Sequence, residues 1–305
     1  MIVNICKGGL GNRLKPLASC YALSKKTNRK LAIVWEPDMR CGAVFSHLFS
    51  NKIDVITLDQ ILSKKRISFY THMDWIRTYS PELLPIAKKS KIKPLETTVE
   101  IQSDKNELIV IYSNDYLAGP TADECKVFFD WLIPIKIIEE KRLFVETSLK
   151  LDKSFIGVHA RGTDFEAGGI TVQTYIYKMN EEYKKNNTVK FFVCSDSLEY
   201  EMAIKNAFPL VYFNKKDNYV FKDNALTGWS NNVQTPSESV QDALVDMILL
   251  SKTNFKIYHP NSTFAHIVNM LSSGMMETNP TEAIKQKKAS LYSIIKKFFN
   301  LLIYR

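Results

Sequence analysis

The chain has 305 residues, 45% hydrophobic and 24% charged, the make-up of an ordinary globular protein. Its length suits two domains of about 100–200 residues each, and no run of about 18 apolar residues suggests a transmembrane helix. Five scattered cysteines without C-x-x-C spacing point to neither a zinc site nor a disulfide framework, and a formal charge of +9 leaves nucleic acid, an anionic membrane or a phosphorylated substrate as partners.

The opening "IVNIC" is a short β-branched strand, followed by the glycine-rich turn "KGGLGNRL" and the helix "LKPLASCYALSKKT". The few residues before that turn are too short for the apolar region of a signal peptide, so a cytoplasmic protein is expected. "KLAIVWEP" is a second strand, and "KIDVITL" and "ELIVIYS" are further candidates. Between those two lies an ambiguous Lys- and Ser-rich stretch over 61–106. Residues 122–150 read as helix broken near Pro134. A second series begins at "SFIGVHARGTD" and alternates helix and strand: "TVQTYIYKMNEEYKKN", "VKFFVCSDS", "LEYEMAIKNAF", "LVYF". After the polar loop "DNALTGWSNNVQTPSE" come the helix "SVQDALVDMILLSKT", the strand "FKIYHPN" and the helix "STFAHIVNMLSSG". The order is α/β, two doubly wound Rossmann-like halves facing a cleft: a first domain over 1–148 and a second over 149–280.

A tail over 281–305 carries Lys285, Lys287, Lys288, Lys296, Lys297 and Arg305, with no acid from Lys285 onward. Leu291, Ile294, Ile295, Phe298, Phe299, Leu301 and Leu302 are interleaved at helical spacing. Such a segment reads either as an interfacial membrane helix or as a helix packed back on the body. The charge concentrates there and no nucleic-acid module is recognisable, so nucleic acid is not expected as a partner.

In doubly wound sheets ligands bind beyond the carboxyl ends of the strands, which directs attention to four turns. In the first, Gly8, Gly9 and Gly11 allow a tight turn and close approach of a ligand, the helix N-terminus offers N–H groups to an anion, and Asn12 and Arg13 add donors. A plain strand–helix turn would use the same glycines, and the spacing is neither Walker A nor the dinucleotide fingerprint. In the second, His159 and Arg161 share one side of a buried strand, and a guanidinium there needs an anion, from Asp164 or from a ligand phosphate. In the third, Ser195, Asp196 and Ser197 either cap the next helix or meet a ligand. In the fourth, Ser262 and Thr263 cap the last helix or hold phosphate. On the preceding helix Asp242 and Asp246 stand one turn apart among apolar residues, where an acid needs a donor, from a purine edge or from the backbone. Together the turns predict a nucleoside diphosphate site.

In this order the features resemble the fucosyltransferase superfamily: "GVHARGTD" as its His-x-Arg-x-x-Asp motif, "FFVCSDS" as its second, "SVQDALVDMILLSKTNFKIYHPNSTFAHIVNML" as its third, and "GGLGNRL" as its glycine loop. The resemblance covers about half of the chain. It implies a GT-B-like fold and a glycosyltransferase that moves fucose from GDP-fucose to a glycan or glycolipid hydroxyl with inversion, in surface polysaccharide biosynthesis, with no cofactor or metal. It further implies that Arg161 binds the diphosphate and stabilises the leaving group, that His159 and Asp246 contact guanine or its surroundings, and that Ser262 and Thr263 contact phosphate. Ser195 and Asp196 would lie near the nucleoside, Gly9, Gly11 and Asn12 would line the donor side, and Asp164 would orient the arginine loop. Gly162 departs from the core α-1,6 pattern, which has a second arginine there, and Glu166 only approximates the position of that family's base. Glu36, Asp38 and Asp115 are the other candidate bases, with a loop turn as the simpler reading of "WEPD". Another GDP-sugar, mannose or heptose, is the alternative donor; a non-catalytic glycan- or nucleic-acid-binding protein is the alternative of another class. Read as an interfacial helix, the tail would hold the protein peripherally at the inner face of the cell membrane; read as packed on the body, it would not.

Overall fold

A computed structural model describes residues 1–95, 98–162, 171–217, 219 and 235–272. The first half contains β1 (Ile2–Ile5), α1 (Leu10–Lys26), β2 (Leu31–Val34), β3 (Asp54–Val55) and α2 (Leu58–Leu62). It continues through β4 (Ile67–Tyr70), α3 (Met73–Tyr79), α4 (Leu84–Lys89), β5 (Lys91–Lys93), α5 (Thr98–Ser103) and β6 (Leu108–Tyr112). Its six strands are parallel in the order β3-β2-β1-β6-β4-β5. "IVNI" and "LIVIY" are buried at every position, the signature of central strands covered on both faces.

Two expectations change here. The ambiguous stretch 61–106 supplies β4 and β5. "ISFY" is a fully buried strand whose short apolar run is hidden among Lys and Ser, so composition masked it. "KIDVITL" contributes only Asp54 and Val55, because β3 is an exposed edge strand with a single neighbour.

α6 (Ala122–Trp131) and α7 (Lys136–Leu149) follow, separated at Pro134 as the sequence predicts. The second half runs β7 (Phe155–Ala160), α8 (Val172–Lys185), β8 (Lys190–Ser195), α9 (Leu198–Ala207) and β9 (Val211–Phe213). It closes with α10 (Ser237–Lys252), β10 (Asn254–Tyr258) and α11 (Thr263–Leu271). Four parallel strands lie in the order β10-β7-β8-β9. Strand β7 is therefore central, which is why "FIGVHA" is buried along its whole length.

One apolar core ties the halves together. Leu10, Leu14 and Leu17 of α1 and Phe128 of α6 pack in the same cluster as Leu244 and Met247 of α10 and Ile267 and Val268 of α11. Helix α10 also lies against α7. The tail over 281–305 lies outside the described residues. Among the described residues, no helix is long and apolar enough to cross a membrane.

Candidate active site

The parallel order of the second sheet sends the ends of β7, β8 and β9 to one edge, with β7 and β8 in register at His159–Cys194 and Ala160–Ser195. His159, Arg161, Cys194, Ser195, Asp196 and Lys216 line a cavity of about 200 Å³ there. Helix α10 closes one wall with Ser239, Asp242, Ala243 and Asp246, the i, i+3, i+4, i+7 spacing of a single helix face. Phe264, Tyr219 and Thr235 complete the second half's share, and Arg40 enters from the first half.

His159 is buried and stacks on Phe264, with ring centroids 4.1 Å apart and planes 13° from parallel. Its Nδ1 lies 3.4 Å from Ser262 Oγ. Burial, reinforced by the Arg161 charge, pushes its pKa down to about 3, so the imidazole is neutral at pH 7. The Arg161 backbone N–H donates to Tyr175 Oη at 3.3 Å, and the Gly162 N–H donates to Asp196 Oδ1 at 2.8 Å. A Cβ on Gly162 would stand 2.8 Å from Ser197 Cβ and 3.1 Å from the Tyr200 ring. The turn after β7 thus folds tightly over the start of α9, and the second arginine of the core α-1,6 pattern has no room in this chain.

Asp246 is buried and fully engaged inside the protein: Lys216 Nζ lies 2.8 Å from its Oδ2, and Asn214 Nδ2 donates to its Oδ1 at 2.9 Å. The expected purine edge or backbone donor is therefore supplied by two side chains that sequence reasoning missed. Lys216 also reaches Glu201 at 3.2 Å and donates to the Ser195 carbonyl at 2.6 Å. Burial alone would lower the Lys216 pKa; the carboxylates of Asp246 and Glu201 override it and hold the ammonium above its usual range. Burial raises the carboxyl of Asp242, which Lys141 partly offsets through an ion pair. The Ser239 hydroxyl oxygen is buried at the cavity wall without a hydrogen-bond partner among the described residues.

In the glycine turn only Gly8 takes the left-handed conformation (φ 79°). Gly9 is extended and caps α1. Gly11 is a packing glycine: a Cβ there would lie 2.8 Å from the Thr263 carbonyl carbon at the start of α11. Asn12 is half-buried beside Gly8. Arg13, expected as a ligand donor, is instead 0% exposed and consumed internally. Its Nε donates to the Gly8 carbonyl (2.8 Å), its Nη1 to the Glu36 carbonyl (2.9 Å), and its Nη2 pairs with Asp38 (2.7 Å). Asp38 and Asp115 are engaged as partners of Arg13 and Lys15, which favours the turn reading of "WEPD". Glu36 is half-exposed and shares Lys7 with Glu82.

Of the sequence-derived site residues, His159, Arg161, Ser195, Asp196 and Asp246 meet at the cavity. Ser195 Oγ donates to the Ala160 carbonyl (2.6 Å) and accepts the Ser197 N–H (3.1 Å), so it braces the two strand ends. Ser262 is fully buried and caps α11 through the Ala265 N–H at 3.2 Å; it stands behind His159 rather than at the cavity wall. Thr263, the first residue of α11, lies against Gly11 and is not among the residues that line the cavity. Asp164 and Glu166 lie outside the described residues.

Two Rossmann-like halves with parallel sheets, and a cavity at the strand ends between them, define the GT-B architecture. Solved structures with this fold include the fucosyltransferase NodZ from Bradyrhizobium (19% identity over 88% of this chain and 92% of that one, TM-score 0.60). NodZ α-1,6-fucosyltransferase soaked with GDP-fucose matches with a TM-score of 0.57 at the same identity and coverage. POFUT1 in complex with GDP-fucose matches at 14% identity over 88% of this chain and 93% of that one, with a TM-score of 0.50. No protein-family model and no curated protein matches the sequence.

Proposed function

We propose that the chain is a glycosyltransferase that moves a fucosyl residue from GDP-fucose to a hydroxyl of a glycan or glycolipid, with inversion and without a metal. One observation carries the reading: His159, Arg161, Asp196 and Asp246 converge on one cavity at the strand ends of the second half. The fold is that of NodZ and POFUT1, whose structures were obtained with GDP-fucose. The His159–Phe264 stack offers an aromatic wall for a base, and the Ser239 hydroxyl, without a hydrogen-bond partner among the described residues, could meet a polar ligand group.

In the transfer, the bond from the sugar's anomeric carbon to the β-phosphate oxygen breaks, and its electron pair stays on that oxygen. Arg161 stabilises this charge through a guanidinium fork suited to phosphate. The acceptor oxygen forms the new bond from the opposite face, and its proton passes to a carboxylate. Glu166 and Glu36 are the candidates for that base, since Asp38 and Asp115 are held in ion pairs with buried cations. The basic tail would hold the protein peripherally on the inner face of the membrane, beside a lipid-linked acceptor.

Thermal melts with GDP, UDP, CMP and ADP test the donor class. GDP alone should raise the melting temperature, because a ligand bound only by the folded state stabilises it. Arg161→Ala should then lower GDP-fucose turnover at least about 100-fold, the usual cost of losing a donor to a developing oxyanion. Equal shifts with all four nucleotides would remove the reading; full GDP-fucose turnover by Arg161→Ala would remove the role given to Arg161.

A further inference from the structure

We infer that Asp242, anchored by Lys141, reads the N1–H and 2-amino edge of the donor's guanine, with the Ser239 hydroxyl on the neighbouring 6-oxo group. The inference rests on the proposed donor site and names the residues that would choose its base.

Three acids line the cavity: Asp196, Asp242 and Asp246. Both oxygens of Asp246 are taken inside the protein, Oδ2 by Lys216 at 2.8 Å and Oδ1 by Asn214 at 2.9 Å. Asp196 accepts the Gly162 N–H at 2.8 Å and so fastens the turn after β7. Asp242 is engaged through one oxygen, its Oδ1, to which Lys141 of α7 donates. Its Oδ2 takes no hydrogen bond from another described residue. A carboxylate has about four lone-pair sites, so the pair with Lys141 leaves Asp242 capacity for two further N–H groups. Burial raises this carboxyl and the Lys141 ammonium counters it, favouring the charged form.

Ser239 lies three residues earlier on the same face of α10. Its Oγ is buried without a hydrogen-bond partner among the described residues, although it lines the cavity. Ala243 lines the wall beside Asp242, and its small side chain leaves space for a ring.

The chemistry of this wall selects which part of a nucleotide it can face. A carboxylate repels a phosphate, so the α10 wall suits the uncharged base. Guanine presents two adjacent N–H donors, at N1 and the 2-amino group, with an oxo acceptor next to them. A carboxylate and a hydroxyl one turn apart match that edge. Adenine would turn the lone pair of N1 toward the carboxylate, and uracil a carbonyl oxygen; a buried acceptor left without a donor is costly. The His159–Phe264 stack lines the same cavity and supplies the apolar wall for the ring plane. Asp242 and Ser239 form no covalent bond and take no part in the transfer step.

Calorimetric titration of the full-length chain with GDP, IDP, XDP and ADP tests this. IDP lacks the 2-amino group, and XDP carries an oxo group in its place. Wild type should bind GDP about 10–100-fold more tightly than IDP, the worth of one hydrogen bond to a charged group. ADP should bind at least about 100-fold more weakly than GDP, because it leaves the site's polar groups unpaired. Asp242→Asn should bring GDP and IDP within about threefold of each other and raise XDP relative to GDP, since an amide N–H can donate to the 2-oxo group. Ser239→Ala should weaken GDP and IDP alike, by about 2–10-fold, because both carry the 6-oxo group. Lys141→Gln, a positioning change, should narrow the GDP-to-IDP ratio and add little to Asp242→Asn. Each ratio compares ligands on one protein, so a loss of folded material does not imitate the effect. A wild type that binds none of the four, or prefers ADP, removes the donor-site reading itself. A wild type that binds GDP without preference over IDP, or an Asp242→Asn chain that keeps the wild-type ratio, overturns the role of Asp242 alone.

Discussion

His159 sits 6% exposed against Phe264, next to a guanidinium, and its folded-state pKa of about 3 lies below the ordinary histidine value near 6.5. Between these two values the unfolded chain binds a proton that the folded one does not. Stability therefore holds above about pH 6.5 and is lost as pH falls toward 3. His159→Gln should flatten that slope in urea unfolding measured from pH 7 to 4; an unchanged slope would assign the acid sensitivity to other groups. Legibility differed among neighbouring residues. His159 and Arg161 stand out because two polar side chains on one side of an apolar strand have few structural uses. Arg13 stood out for the same reason, a basic residue at a helix start, yet it serves the turn and not a ligand. The letters are alike in the two cases; what separates them is that Arg161 lines the cavity while Arg13 is buried against Asp38.

Helix α10 shows how one element divides its work. Leu244, Leu249 and Leu250 enter the core, while Ser239, Asp242 and Asp246 face the cavity. Lys216, beyond β9, balances Asp246 and Glu201 at once. Lys216→Met takes the cation from two buried carboxylates, leaving Asp246 with Asn214 and Glu201 with Tyr219, and should cost about 3–5 kcal/mol in urea unfolding, more than Asp246→Asn, which leaves Lys216 paired with Glu201. Equal costs would mean that solvent reaches Glu201 and screens it. The acid on an apolar helix was visible in the sequence, and so was its need for a donor. The identity of that donor was not, because Lys216 reads as one of many lysines until β9 carries it to the same sheet edge as β8.

Across the whole molecule, the core shared by α1, α6, α10 and α11 ties the two halves. The contact of Gly11 with Thr263 brings the N-terminus of α1 against that of α11. The glycine loop's third glycine is thereby accounted for by the junction between halves. At this scale the tail matters as well: six basic residues among apolar ones should bind vesicles containing anionic lipid. Deletion of 281–305 should abolish cosedimentation with such vesicles and leave the thermal shift with GDP unchanged. Binding that survives the deletion would place the membrane contact on the body.

Much of the strand and helix order, and the polar turns at strand ends, follow from periodicity, β-branched runs and breakers, because those signals are local. β4 and β5 escaped since each is brief and set among lysines and serines. The residue types of "IGVHARGTDF" left Asp164 and a ligand phosphate open as partners of Arg161; the structure places His159 and Arg161 at the cavity. Which polar residues reach the cavity, and which are consumed in holding it, depends on partners far away in the chain. Arg13 found Asp38, Asp246 found Lys216 and Asn214, and Arg40 crossed from one half to the other. A buried charge acquires its role from whatever the fold sets within a few ångströms, and that distance has no counterpart in sequence spacing.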